Sequence, residues 1–117
     1  MKKQHIAWLV ILTMCLLAYR NDIENHEQVH YIAFKDFGIQ SEKTVGLLTG
    51  STNPTNYTQV YNMNPEDYRA MTMIHGFNEA VDYNTTSIKF FLIVLIMIVS
   101  YRFCERMFGE DNNYESR

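Results

Sequence analysis

Two uncharged apolar runs, one near each end, constrain this chain more than any other feature. Residues 6–19 follow a basic start, Lys2 and Lys3, and carry no charge; residues 90–99 read Phe-Phe-Leu-Ile-Val-Leu-Ile-Met-Ile-Val between Lys89 and Arg102. About 14 residues fit the core of a signal peptide or a short signal anchor better than a full span, which needs roughly 20. The second block, residues 88–103, rises about 24 Å as a helix, short of a hydrocarbon core of about 30 Å. Snorkelling of Lys89 and Arg102, and a helix extended over 87–108 to a stop at Gly109, close that gap. In 117 residues there is too little other chain to enclose such a helix as a soluble core.

Charge then orders the chain across the membrane. Lys2 and Lys3 precede the first run and Arg102 and Arg106 follow the second, so both tails are expected to be cytoplasmic. Residues 21–86 hold three basic and nine acidic side chains, as suits a translocated segment. The expected organisation is a signal peptide or signal anchor at 1–20, an outward-facing domain at 21–86, a transmembrane helix at 87–108 and a cytoplasmic tail at 109–117. A net charge of −3, without clustered Lys and Arg, excludes nucleic acid as a partner. The two cysteines, Cys15 and Cys104, lie in the apolar blocks, so no disulfide staples the middle.

Within the middle, Asn21 or Asp22 can cap a helix over 22–37, with Ile23, His26, Glu27, His30 and Phe34 on adjoining rows and Gly38 as its stop. Residues 44–49 and 57–62 are rich in Thr, Val and Tyr and flank the turn formers of 50–56, which predicts a hairpin with a long loop. Asn64-Pro65-Glu66-Asp67 combines a cap, a first-turn Pro and two acids, so a second helix is expected over 65–82, its apolar row being Ala70, Met73, Ile74, Phe77 and Val81. The fold class is mostly α: a small membrane-anchored α+β domain of helix, β-hairpin and helix, between the N-terminal segment and the C-terminal transmembrane helix.

The chemistry concentrates in His26-Glu27-Gln28-Val29-His30, an H-E-x-x-H pattern. On a helix, two His four residues apart project from one face and can share one zinc ion, while the Glu, about 100 degrees round, reaches a water on that ion. Asn78-Glu79-Ala80-Val81-Asp82 falls on the second expected helix, where Glu79 can supply a third ligand and Asp82 can orient a ligand His from outside. With these two pieces the chain resembles the gluzincin zinc metallopeptidases, whose H-E-x-x-H helix is completed by a glutamate from a downstream helix.

The resemblance covers residues 26–30 and 78–82. It implies Zn2+ as cofactor, His26, His30 and Glu79 as metal ligands and Glu27 as general acid/base. His75, one turn before Glu79, is a candidate either for stabilising the oxyanion or for the third ligand position. No strand precedes the first helix, so the hairpin would have to align an extended peptide. The expected function is a membrane-tethered zinc metallopeptidase acting on a peptide or protein substrate outside the cytoplasm. The alternative is a non-enzymatic membrane accessory protein that binds a partner through its outward helix row.

Overall fold

A computed structural model describes residues 3–109, which form α1 (Lys3–Asp36), β1 (Ser41–Val45), β2 (Gly50–Pro54), α2 (Tyr57–Tyr61) and α3 (Pro65–Gly109). The expected helix, hairpin, helix order holds. Lys2 and most of the tail expected at 109–117 lie outside the described residues.

The two helices are longer than their expected outer portions. No Pro or Gly stands between Lys3 and Asp36, so nothing ends the first apolar run at Asn21. The expected cap at Asn21 or Asp22 is therefore replaced by continuous helix. Likewise α3 runs from the outer segment into the second apolar run through Asn84-Thr85-Thr86. Thr85 and Thr86 return their hydroxyls to the carbonyls of Val81 (2.9 Å) and Asp82 (2.7 Å), so these polar residues do not interrupt the helix. Both helices are long and apolar enough to cross a membrane.

The helix ends follow capping chemistry. Gly38 takes φ +70°, its N–H bonds the carbonyl of Lys35 (3.0 Å) and the Ile39 N–H bonds that of Phe34 (2.8 Å). This is a Schellman stop, in which only a residue without a Cβ enters the left-handed region at little cost. Ile39 and Phe34 also meet in the small apolar core with Met71. At the start of α3, the Asn64 side chain accepts from the Asp67 N–H (2.8 Å).

The hairpin is displaced from its expected position. Its strands are 41–45 and 50–54, paired antiparallel from Ser41↔Pro54 to Val45↔Gly50, rather than 44–49 and 57–62. Residues 57–61 are helical because Asn56 caps them, accepting from the Thr58 N–H at 2.9 Å. Gly50-Ser51-Thr52-Asn53-Pro54 reads as turn chemistry, yet alternate residues turn toward and away from α1, and Pro54 stands at the end of an edge strand where its missing N–H costs nothing.

α1 and α3 lie side by side and antiparallel. Trp8 packs near Tyr101 (ring centroids 5.6 Å), Asp22 meets Lys89 (2.7 Å) and Phe34 meets His75 (4.6 Å). The shielded residues of α3 recur at steps of three and four: Met71, His75, Asn78, Asp82, Thr85 and Lys89, then Ile93, Met97, Ser100 and Cys104. The expected apolar row is therefore not the packed one. Met73 and Phe77 remain 75% and 73% exposed, and Ile74 and Val81 are exposed too. A polar seam takes their place because it faces His26 and His30 on α1.

Candidate metal centre

His26 and His30 lie one helical turn apart on α1, and α3 passes at the height that puts Glu79 opposite both. His30 Nε2 stands 3.1 Å from His26 Nε2 and 3.0 Å from Glu79 Oε1, and His26 Nε2 stands 3.4 Å from the same oxygen. All three ligand atoms lie within 4.8 Å of one another, a group that can hold a metal ion. These separations suit donors that share one ion at bond lengths of about 2.0–2.1 Å, so His26, His30 and Glu79 would hold zinc. Three protein donors leave a fourth tetrahedral position. The imidazoles are shielded, whereas the Glu79 side chain is 65% exposed, so the site opens on the Glu79 side.

The rear of each imidazole is also held. His30 Nδ1 lies 2.5 Å from His75 Nδ1, the two rings meeting edge to edge with centroids 4.7 Å apart. With His30 in the Nδ1–H tautomer it donates to a neutral His75. Burial pushes His75 below its ordinary 6.5, the neighbouring His30 adds to the shift and Glu79 opposes it. His75 thus stands behind the His30 ring, on the side away from Glu79. Behind His26, the Asn78 amide donates to the His26 backbone carbonyl (3.2 Å), and Asp82 Oδ2 lies 3.9 Å from His26 Nδ1, ion-pair range rather than hydrogen-bond range.

Glu27 faces the hairpin. It is buried, and its Oε2 accepts from Thr52 Oγ1 at 2.8 Å. Gly50 admits it closely: a Cβ there would fall 2.7 Å from Glu27 Cγ and 2.6 Å from Ile23 Cγ2. Glu27 and His26 line one cavity of about 550 Å3, with Asp82 beside them and Tyr19, Phe90 and Ile93 at its far end.

Two further residues escape sequence reading. Thr52 lies in a stretch that reads as loop, and nothing in its neighbours signals a partner for Glu27. Lys89 reads as a snorkelling cation, but its ammonium bonds both Asp22 (2.7 Å) and Asp82 (2.9 Å). Its spacing of seven from Asp82, two turns along one face, was the available signal. Comparison with protein family models, with curated proteins and with solved structures finds no match.

Proposed function

We propose that the chain is a membrane-anchored zinc hydrolase that cleaves peptide bonds outside the cytoplasm. The observation that carries the reading is the His26, His30 and Glu79 triangle, with its edges of 3.1, 3.0 and 3.4 Å. Two imidazoles and one carboxylate are a donor set that suits zinc, and three protein ligands with an open position are the pattern of catalytic rather than structural sites. When bound, zinc supplies a Lewis acid that polarises a carbonyl and brings the pKa of a water to about 7.

The chain's own residues supply the remainder. His75, against His30 Nδ1, keeps the Nε2 of that ring aimed at Glu79. Glu27 is the proton acceptor: Thr52 occupies one carboxylate oxygen and leaves the other to take a proton from the attacking water and return it to the leaving amine. Each strand of the hairpin keeps one unpaired edge on which an extended peptide can align. The acidic middle segment and the basic residues near the ends support its outward placement.

The test is Glu27→Gln in the full chain. Gln matches Glu in shape and cannot accept the proton, so zinc content should match the parent while hydrolysis of a peptide library falls by about 100-fold or more. Cleavage at the parent's rate by Glu27→Gln, or by parent protein stripped of zinc, would contradict the proposal. A second reading, a non-enzymatic accessory protein, is favoured by the exposed Met73 and Phe77, which line an apolar groove with Val29 and Ile74. A chain that folds identically without metal would favour it.

A further inference from the structure

The β1–β2 tip carries two leucines that no packing explains. Val45 pairs with Gly50, and the Gly46 N–H bonds the Thr49 carbonyl (2.7 Å), so Leu47 and Leu48 form the tip of the hairpin. Hairpin tips in water favour Asn, Asp and Gly. Among the described residues no side chain other than glycine takes a positive φ, so the backbone at this tip makes no demand that polar residues could not meet. Leu47 and Leu48 are nevertheless 52% and 58% exposed.

Their place along α1 gives them a partner. The hairpin lies along that helix and heads back toward the apolar run: Ile39 packs with Phe34, Thr52 bonds Glu27 and Gly50 abuts Ile23. Leu48 then shares a cavity wall with Tyr19 and Phe90, the outermost residues of the two apolar runs. The tip therefore lies by the ion pair of Lys89 with Asp22, where both helices become apolar.

We propose that Leu47 and Leu48 insert into the boundary between headgroups and acyl chains, so that the hairpin grips the bilayer surface as a third contact beside the two helices. The inference rests on the reading that those helices span the membrane. Two apolar side chains at the end of a short polar hairpin match the shallow insertion of interfacial anchors. Insertion also fixes the hairpin, and with it Thr52 against Glu27, at a set height above the lipid.

The test uses the full chain in phosphatidylcholine vesicles containing lipid brominated near the headgroup end of the acyl chains, which quenches nearby indole. Trp8 is the one tryptophan and lies in the first apolar run, so the parent reports on the helices themselves. In a Trp8→Phe background, Leu48→Trp reports on the tip and Tyr61→Trp, at an exposed site by the opposite end of the hairpin, reports on water-facing surface. Leu47→Trp repeats the tip measurement should Leu48→Trp disturb the turn. Loss of emission at position 48 or 47 should be at least half of that for Trp8, with none at position 61. Quenching of Trp8 with the tip indistinguishable from position 61 would overturn the insertion and leave the spanning helices standing. An unquenched Trp8 would overturn both.

Discussion

The α1–α3 pair holds two kinds of seam on one helical geometry. In the half built from residues 5–19 and 90–104, the shielded positions of α3 are Ile93, Met97, Ser100 and Cys104, small or apolar residues that serve packing alone. In the half built from residues 22–36 and 65–89 the corresponding positions are Met71, in the small apolar core, and then the polar His75, Asn78, Asp82, Thr85 and Lys89, opposite Asp22, His26 and His30. Apolar side chains were at hand, since Met73, Phe77 and Val81 lie on the same helix and face outward. A helix pair optimised for burial would rotate to enclose them. The polar face is turned inward, against its hydrophobic interest, as the proposed metal site requires.

On the proposed reading of the site, the largest expected break between the halves comes from chelating zinc. The outer half has a core of only Phe34, Ile39 and Met71 with a few flanking side chains, so metal binding should contribute on the order of several kcal/mol to its folding. Amide exchange over residues 22–36 and the hairpin should then accelerate by several orders of magnitude, with residues 90–99 unchanged. Uniform acceleration across both halves would show that they are one cooperative unit.

A smaller expected effect is that of Phe34→Ala. Phe34 joins the Schellman contact with Ile39 to the core and lies 4.6 Å from the His75 ring, so truncation should cost about 3–5 kcal/mol. The loss should appear in the melting of the outer half and in weaker zinc binding, because His75 loses the surface that holds it behind His30.

Smaller still is the pH dependence of the metal-free protein. His75 has its folded pKa below the ordinary 6.5, so the unfolded chain binds its proton first as pH falls. The stability that neutral His75 contributes is present above pH 6.5 and is lost as pH drops below it toward the lower folded value. His75→Phe, which keeps the ring and removes the titration, should flatten the pH 5–7 portion of the stability curve in the outer half. A slope unchanged by His75→Phe would assign it elsewhere.

Much of this was legible in the residues. The spacing of His26 and His30 places both on one face, Asn64-Pro65-Glu66-Asp67 starts a helix as its composition suggests, and Gly38 ends one. The element order and two long apolar helices were legible for the same local reasons. What escaped was decided by tertiary partners. An apolar row on residues 70–81 implies its own burial unless His26 and His30 are known to lie opposite. Gly50–Pro54 reads as a loop unless α1 is there to shelter alternate residues. The cap at Asn21 or Asp22 looked plausible because both residues suit the role, but capping needs a chain that stops being helical, and Asp22 instead bonds Lys89.

Zinc content of the full chain, purified in detergent and equilibrated with the metal, tests the central claim most directly. One zinc per chain is expected, with X-ray absorption fitting two imidazole nitrogens and carboxylate oxygen at about 2.0–2.2 Å, and with binding lost in His26→Ala and in His30→Ala. A chain that takes up no zinc beyond the buffer level, or that keeps one zinc when both histidines are replaced, would contradict the assignment of the polar seam to a metal site.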